Sequence, residues 1–285
     1  MPHTIQSILI RDKSVLESAL SLDSGSARIE VQCLLQAVLQ VNRAYLLTHP
    51  EQQLESEQQA HYTALFGRRL RGEPIAYLLG EREFYGLTFK VTPATLIPRS
   101  DTELLVELAL ARIPQRGALR VLDLGTGSGA IALSIAHARP DIEVTAVDGS
   151  QDALDVAQEN ARLLNLGNAR LLCSDWFSAL AGEHFDLIVS NPPYIADGDA
   201  HLVQGDLRFE PRAALASGAD GLDDIRRIIS QARAHLNVGG WLLLEHGYNQ
   251  AEPVRALLRQ SGFTGVFSAH DLAGVERVSG GLANP

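Results

Sequence analysis

The feature of this sequence that most constrains its fold is a regular alternation of short apolar segments and amphipathic helices beginning at Arg120. Alternation of this kind predicts parallel strands joined by crossover helices, and therefore a doubly wound α/β sheet. Ligands of such sheets bind beyond the carboxyl ends of the strands. The predicted strands are Arg120–Leu124, Glu143–Val147, Ala169–Cys173, Phe185–Ser190, Trp241–Glu245 and Phe263–Ala269, and the predicted helices are Ala130–Ala138, Gln151–Leu164, Leu222–Leu236 and Ala251–Gln260.

The first eighty residues have a different pattern, which is typical of a small helical bundle. Apolar residues between Val31 and Leu39 recur at helical spacing, and Ile5–Leu20 and Leu54–Leu70 show weaker versions of the same pattern. Residues 84–91 have strand composition around a central glycine and predict a hairpin. The sequence thus predicts a helical domain over 1–80, a β-hairpin linker over 81–100 and a catalytic domain over 101–285.

The formal net charge of −10 is concentrated in the second half of the chain. Residues 1–116 carry 12 basic and 13 acidic groups, whereas residues 117–285 carry 12 basic and 21 acidic groups. An acidic catalytic half repels a phosphate backbone, so nucleic acid is a disfavoured substrate. We interpret the one basic cluster, at 67–71, as a solvated helix end whose cations lie near the negative end of the helix dipole.

Several observations favour the cytoplasm. No apolar run approaches the roughly 20 residues needed to cross a bilayer. Charged residues at 11–13 stand where a signal peptide would be apolar. The two cysteines, Cys33 and Cys173, are far apart in sequence and suggest neither a disulfide framework nor a metal cluster. We therefore expect a cytoplasmic protein without a metal centre.

The segment Val121–Ala130 is an apolar strand that runs into a glycine-rich turn and then a helix. Glycines in such a turn let the backbone approach a ligand closely. The segment also fits the G-x-G-x-x-A pattern of dinucleotide-binding proteins, so an NAD-dependent dehydrogenase is one alternative and a purely structural turn is another. The predicted cofactor-binding residues in this turn are Gly125, Thr126, Gly127, Ser128 and Gly129.

Asp123, two residues before the first glycine, discriminates between these alternatives. Its carboxylate would repel a pyrophosphate, but it would attract the cationic amino and sulfonium groups of S-adenosylmethionine. Asp148 ends the second strand and can accept hydrogen bonds from two ribose hydroxyls, with helix capping as its alternative role. Asp175 and Trp176 follow the third strand, where they could flank the adenine; core packing is the alternative for the tryptophan. The sequence favours an S-adenosylmethionine-dependent methyltransferase.

The Asn-Pro-Pro-Tyr sequence after the fourth strand is the most specific signal in the chain, although such a turn can be merely rigid. A primary amide nitrogen is a poor nucleophile, so a site that methylates it must hold the NH₂ group and stabilise the developing charge. The side-chain oxygen of Asn191 and the backbone carbonyl of Pro192 can accept its two N–H donors. The prolines fix the backbone. We predict Asn191, Pro192 and Tyr194 as catalytic, and Asn191, Pro192, Pro193 and Tyr194 as substrate-binding.

Seven segments together resemble the release factor glutamine methyltransferase family, over nearly the whole chain. The resemblance implies a class I S-adenosylmethionine-dependent methyltransferase fold with a Rossmann-like sheet and a small N-terminal helical-bundle domain. The segments are ARIEVQCLLQAVL at 27–39, GEPIAYLLGEREFYGLTFKV at 72–91, LIPRSDTELLV at 96–106, the glycine-rich turn, NPPYI at 191–195, FEPRAAL at 209–215 and DLAGVERV at 271–278.

The resemblance also implies the reaction. Its substrate would be the glutamine in the Gly-Gly-Gln motif of bacterial peptide chain release factors, methylated on the side-chain N5, with an effect on translation termination. Cofactor contacts are implied at Gly125–Gly129, Asp148, Trp176 and Asn191, and the glutamine would be held by residues 191–194. The role of residues 96–106 stays open.

Three other functions stay open at this point. Relatives that methylate a ribosomal-protein glutamine share Asn-Pro-Pro-Tyr, but they resemble PRSPIAEL where this chain has PRSDTELL. Adenine-N6 nucleic-acid methyltransferases use similar chemistry on another planar NH₂ group. A binding module could keep the cofactor and only chaperone a partner. Because every cofactor signal falls after residue 120, we expect residues 1–80 to recognise the protein partner; covering hydrophobic surface is their alternative role.

Overall fold

The computed structural model describes residues 4–114, 117 and 119–284, and these pack as two units. The first unit contains the chain up to Gly80 together with Gln204–Phe209, and the second contains Glu81–Val203 and the chain from Glu210 onward. Among the helices within these ranges, none is long and apolar enough to cross a membrane.

The first unit is a bundle, and its described part has five α-helices where the sequence predicted three. The two that were not predicted are six and five residues long, too short to display a helical repeat. Side chains of Thr4, Asp23 and Asn42 cap the first three helices by accepting backbone N–H groups. In chain order the helices are α1 (Ile5–Leu20), α2 (Ser24–Leu39), α3 (Arg43–Thr48), α4 (Ser56–Leu70) and α5 (Ile75–Leu79).

The basic cluster at the end of α4 is largely neutralised within this unit. Arg69 is only 3% exposed, and it donates hydrogen bonds to Glu30 at 2.7 Å and to Asp206 at 3.2 Å. Arg68 pairs with Glu73. The interpretation of the cluster as a solvated helix end is therefore wrong for Arg69, because two carboxylates replace the water that its guanidinium would otherwise need.

The second unit alternates strands and helices after an initial hairpin. In chain order its elements are β1 (Glu81–Phe84), β2 (Leu87–Lys90), α6 (Glu103–Arg112), β3 (Arg120–Leu124), α7 (Ala130–Ala138), β4 (Glu143–Asp148), α8 (Gln151–Leu163), β5 (Ala169–Cys173), β6 (Phe185–Ser190), α9 (Asp223–Ala232), β7 (Leu236–Glu245), α10 (Ala251–Gln260), β8 (Phe263–His270) and β9 (Glu276–Ala283).

The described strands β3 to β9 form one sheet in the order β5-β4-β3-β6-β7-β9-β8. Neighbours among β3 to β7 are parallel, and β9 runs antiparallel between β7 and β8. Successive residues of β3 enter different cores: Val121 packs with α6 and α7 on one face, and Leu122 packs with α9 and α10 on the other. Helices on both faces confirm the predicted doubly wound architecture.

Two elements of this unit, α6 and β9, were not predicted. The strand β9 was not predicted because it contains two glycines, which are rare in strands. Gly280 and Gly281 are needed there: an added Cβ would lie 2.5 Å from the Leu243 side chain at the first position and 2.8 Å from the Phe263 Cβ at the second. The largest boundary differences are that β7 begins at Leu236 instead of Trp241 and that α9 ends at Ala232 instead of Leu236; other ends differ by at most one residue.

A buried asparagine fixes the hairpin against the glycine-rich turn. Asn160 on α8 is fully buried; its Oδ1 accepts the Lys90 N–H at 2.7 Å, and its Nδ2 donates to the Lys90 carbonyl at 3.0 Å. The same Nδ2 donates to the Ser128 carbonyl at 2.8 Å. One side chain therefore satisfies backbone groups of both β2 and the turn that follows β3.

We predict that Asn160→Ala lowers the free energy of unfolding by roughly 2–4 kcal/mol, because it leaves buried backbone polar groups without partners. Urea unfolding followed by far-ultraviolet circular dichroism measures the change. Asn237→Ala is the matched control, since Asn237 is exposed and makes one side-chain hydrogen bond, to Asp186. Equal effects of the two substitutions would contradict the clamping role of Asn160.

Candidate active site

Strand register brings the predicted motifs together at one edge of the sheet. Leu124 of β3 lies opposite Ser190 of β6 and opposite Val147 of β4. The Ser190 hydroxyl donates a 2.7 Å hydrogen bond to the Leu124 carbonyl in a fully buried position. The strands β3 and β6 therefore end next to each other, so the glycine-rich turn after β3 begins beside Asn191, which follows β6.

The glycine-rich turn needs its glycines for two different reasons. Gly125, Gly127 and Gly129 have φ angles of 72°, 55° and 84°, in the left-handed region that other residues rarely adopt. A Cβ on Gly127 would meet no atom within 4 Å, so this backbone faces open space, whereas a Cβ on Gly129 would lie 2.8 Å from the Leu133 side chain. Gly127 thus exposes backbone to a ligand, and Gly129 lets α7 pack closely.

Asp148 joins the turn to the end of β4. Its Oδ2 accepts the Gly127 N–H at 2.8 Å, and its Oδ1 accepts the Ser150 N–H at 2.8 Å. Each carboxylate oxygen keeps capacity for a further donor, such as a ribose hydroxyl. The predicted ligand role and the alternative capping role are therefore compatible, because the backbone bonds fix the carboxylate where a ribose could reach it.

A cavity of about 430 Å³ lies at this edge of the sheet, a volume within the range of small-molecule sites. Six of the predicted site residues line it: Gly125, Gly127, Asp148, Trp176, Asn191 and Pro193. Ala94, Thr95 and Leu96, which the sequence placed in a linker, line it as well. The predicted residues that are not among its lining are Asp123, Thr126, Ser128, Gly129, Pro192 and Tyr194.

Asp123 lies directly beneath this cavity's glycine-rich wall and is fully buried. Its Oδ2 accepts a 2.6 Å hydrogen bond from the Thr126 hydroxyl, whereas its Oδ1 has no hydrogen-bond partner among the described residues. Burial raises the pKa of Asp123 to about 7, against the opposing effect of the Thr126 hydrogen bond. A cationic ligand group near the turn would relieve this cost, which fits the predicted sulfonium donor.

Trp176 stands where the chain leaves β5. Its backbone has a φ of 52°, and its indole packs partly against the core beside Gly125, where a Cβ would be 3.5 Å from the ring. The neighbouring Asp175 also lines the cavity and pairs with Arg227 at 2.6 Å. The tryptophan thus combines core packing with one face on the cavity, where an adenine could stack.

The Asn-Pro-Pro-Tyr turn is held from both sides. The Tyr194 N–H donates to the Leu215 carbonyl at 3.2 Å, and Gln250 donates its Nε2–H to the Tyr194 carbonyl at 3.0 Å. A Cβ on Gly221 would lie 2.2 Å from that same carbonyl oxygen, so only glycine fits beneath the turn. The Asn191 Nδ2 donates to the Thr102 hydroxyl at 3.2 Å, which leaves the Asn191 Oδ1 available as an acceptor.

Residues 96–106, whose role the sequence left open, anchor this site from below. The buried Glu210 accepts the Ile97 N–H at 3.1 Å and a hydrogen bond from Arg99. Thr102 contacts Asn191, as described above. These contacts could not be predicted from the sequence, because pairs of residues separated by roughly one hundred positions leave no periodic signal.

A second carboxylate that was not predicted, Glu245, ends β7 behind the turn. It is 2% exposed, and the Tyr194 hydroxyl lies 3.5 Å from its Oε1. Burial raises the pKa of Glu245 to about 7, whereas hydrogen bonding with Thr102 and the charge of Arg277 favour its charged form. Glu245 could have been predicted as a site residue, because it is the last residue of a predicted strand and ligands of such sheets bind beyond the strand ends.

Comparison with known proteins identifies the family. Residues 14–80 match the PrmC N-terminal domain and residues 100–218 match the Methyltransferase small domain. The chain is 52% identical to the release factor glutamine methyltransferase of Salmonella typhimurium, over 92% of this chain and 95% of that protein. It is 54% identical to that of Bordetella pertussis, over 92% and 97%. The chain belongs to the release factor glutamine methyltransferase family.

A solved structure of another methyltransferase is similar in fold. The Thermus thermophilus 16S rRNA N2 G1207 methyltransferase, determined with AdoMet and guanosine, superposes with a TM-score of 0.52 at 26% identity over 72% of this chain and 50% of that one. The class I methyltransferase fold and the S-adenosylmethionine cofactor predicted for this family member are confirmed, and the dehydrogenase alternative is wrong. The predicted site residues stay a proposal.

We predict that Asp148→Ala weakens S-adenosylmethionine binding by more than tenfold, because charge-assisted hydrogen bonds contribute roughly 1.5–3 kcal/mol each. Asp148→Asn keeps one acceptor oxygen and should lose less. Calorimetry measures both dissociation constants, with Asp152→Ala, an exposed aspartate of the following helix, as the control. An unchanged dissociation constant for the alanine variant would mean that Asp148 only caps the backbone.

We predict that Asp123→Asn flattens the pH dependence of stability. A folded-state pKa of about 7, above the ordinary value of 3.8, means that folded Asp123 holds its proton longer than the unfolded chain does. This stabilisation is full below about pH 4 and is lost as pH rises to about 7, with a total on the order of a few kcal/mol. Between pH 4 and 8 the unfolding free energy of wild type should fall relative to that of the variant, because only wild type loses the contribution of protonated Asp123. Parallel curves would contradict the raised pKa.

Proposed function

We propose that this chain transfers a methyl group from S-adenosylmethionine to the side-chain N5 of the glutamine in the Gly-Gly-Gln motif of bacterial peptide chain release factors, and so modulates translation termination. The observation that carries the proposal is the Asn191 side chain, whose Nδ2 is committed to Thr102 while its Oδ1 stays free to accept from an amide. Asn191 lines the cavity that we assign to the methyl donor.

The donor supplies a methyl group on a cationic sulfonium, which needs no further activation. The chain's own residues have two tasks. Asn191 Oδ1 and the Pro192 carbonyl accept the two N–H groups of the glutamine amide, which orients its nitrogen and stabilises the charge that develops there. Tyr194 offers an aromatic face to the planar amide. The nitrogen releases its extra proton after transfer.

The donor site in this proposal consists of the predicted residues at the edge of the sheet. Gly127 presents backbone, Asp148 accepts ribose hydroxyls, and Trp176 stacks on the adenine. Asp123 is buried behind the glycine-rich turn, and a cation in the cavity would favour its charged form. Gly125 both shapes the turn and borders the cavity, whereas Thr126, Ser128 and Gly129 shape the turn without bordering the cavity.

We further propose that residues 1–80 recognise the release factor, with 81–100 as a hairpin linker and 101–285 as the methyltransferase domain. A specific interface buries about 800 Å² per partner, far more than one glutamine side chain offers. The residues lining the donor cavity all lie at or beyond Ala94, which leaves the helical unit free for another task. Nucleic acid is disfavoured, since Arg68 and Arg69 are paired with carboxylates. Release factors act in the cytoplasm, and we place the enzyme there too.

Labelled S-adenosylmethionine tests the substrate class directly. Purified release factor, a ribosomal protein and DNA are offered in parallel to the full-length protein, together with a short peptide that contains Gly-Gly-Gln. We expect methylation of the release factor, and weaker methylation of the peptide if the helical unit recognises the folded partner. Preferential labelling of the ribosomal protein or of DNA would overturn the proposed substrate.

We predict that Asn191→Ala reduces kcat on the release factor by about 10²-fold or more, by analogy with loss of one preorganised transition-state group. Rates are measured at saturating donor and substrate, and unfolding midpoints establish that the variant is folded. Asn237→Ala, at the far end of β7, serves as the matched control. A variant that turns over at the wild-type rate would remove Asn191 from the catalytic machinery.

A further inference from the structure

The side chain of Gln250 connects the Asn-Pro-Pro-Tyr turn to two other loops. Gln250 immediately precedes α10 and is 7% exposed. Its Nε2 donates to the Tyr194 carbonyl at 3.0 Å and lies 3.3 Å and 3.4 Å from the carbonyl oxygens of Asp220 and Gly221. Its Oε1 accepts the Gly247 N–H at 2.8 Å. One buried amide therefore contacts backbone groups of three separate chain segments.

The hydrogen bond to Gly247 determines which way this amide faces. The oxygen and the NH₂ group of a glutamine amide have nearly the same shape but opposite polarity. Because the Gly247 N–H requires the acceptor Oε1, the NH₂ group faces the three carbonyl oxygens, where only a donor is favourable. Gln250 is thus an acceptor within its own loop and a donor to the Tyr194 carbonyl.

The two prolines make the contact with Tyr194 important for the turn. Proline has no backbone N–H, so neither Pro192 nor Pro193 can donate a backbone hydrogen bond that holds the turn in place. Tyr194, which follows them, is held at both of its backbone groups: its N–H donates to the Leu215 carbonyl at 3.2 Å, and its carbonyl accepts from Gln250. The Pro192 carbonyl lies two peptide units before this anchored carbonyl.

Gly221 permits the close approach between Gln250 and the turn. Its φ is 75°, and a Cβ at this position would lie 2.2 Å from the Tyr194 carbonyl oxygen and 2.9 Å from the Gln250 Nε2. A side chain here would therefore displace both the donor and the acceptor of this hydrogen bond. The structure has a glycine where the Gln250–Tyr194 contact leaves no room for another residue.

We propose that Gln250 is a positioning residue for methyl transfer: it fixes the Tyr194 carbonyl, and thereby orients the Pro192 carbonyl and the Tyr194 ring toward the substrate glutamine. The proposal rests on the proposed function, because it concerns the turn that we assign to that glutamine. Gln250 is not among the described residues that line the donor cavity, so its effect is on the substrate amide rather than on the donor. The alternative is that Gln250 only stabilises the start of α10.

Gln250→Met tests the positioning role, because methionine keeps the length of the side chain but removes its donor and its strong acceptor. We expect kcat on the release factor to fall by on the order of 10- to 100-fold, as for other small misplacements of catalytic groups. The dissociation constant of S-adenosylmethionine should stay within about threefold of the wild-type value, because donor binding is retained. Gln260→Met, the same change at the exposed end of α10, should retain wild-type kcat.

Val254→Ala separates positioning from stability. Val254 is fully buried one turn further along α10, so its truncation weakens the packing of the same helix without removing the hydrogen bond to Tyr194. We expect a lowered unfolding midpoint with wild-type kcat. If Gln250 only stabilises α10, the two variants lower kcat to the same extent, or neither lowers it. Either result would overturn the proposal.

Gly221→Ala perturbs the same hydrogen bond from the other side and provides a test if Gln250→Met does not fold. The added methyl group would push on the Tyr194 carbonyl, so we expect kcat to fall while donor affinity is retained. Gly182→Ala is the matched control, since Gly182 has the same φ of 75° but a Cβ there would meet no atom within 4 Å. It should retain wild-type kcat. Wild-type kcat in folded Gly221→Ala would overturn the proposal, as would wild-type kcat in folded Gln250→Met.

The positioning role and the proposed function fail in different ways. If the substrate assignment is wrong, wild-type protein does not methylate the release factor at all, although it binds the donor. If only the positioning role is wrong, wild-type protein methylates the release factor, and folded Gln250→Met and Gly221→Ala methylate it at the same rate.

Discussion

The register between β3 and β6 is the constraint on which the site depends. Because Leu124 lies opposite Ser190, the chain leaves both strands at one level, and a buried hydroxyl–carbonyl bond holds them there. A shift of one residue would move the glycine-rich turn away from Asn191 and exchange the two core faces of β3. The register of these parallel strands therefore places the donor cavity next to the amide-binding turn.

Buried carboxylates lie behind this edge and set its polarity. Asp123 lies under the glycine-rich turn, and Glu245 lies behind the Asn-Pro-Pro-Tyr turn; burial raises the pKa of each to about 7. Such groups lower stability in their charged form, and carboxyls with raised pKa values are typical of functional sites. In our account the first favours a cationic donor. Neither is among the described residues that border the donor cavity.

The sheet, the main helices and the two principal motifs could be predicted because each leaves a local signal: short apolar segments, helical repeats, glycines at a turn and an unusual tetrapeptide. The strand β9 could not be predicted, since the reason for Gly280 and Gly281 is their close packing against neighbouring strands. The links from Thr102 to Asn191 and from Glu245 to Tyr194 join residues 89 and 51 positions apart. Contacts of that kind exist only once the sheet is assembled. The helices α3 and α5 could not be predicted because they are too short to show a helical repeat.

The most direct measurement of the central claim is the location of the transferred methyl group. Release factor incubated with this protein and S-adenosylmethionine is digested, and its peptides are fragmented by mass spectrometry. The account predicts one methyl group on the side chain of the Gly-Gly-Gln glutamine, and none when that glutamine is replaced in the factor. A methyl group on another residue, or an unmodified factor in the presence of folded enzyme and bound donor, would contradict it.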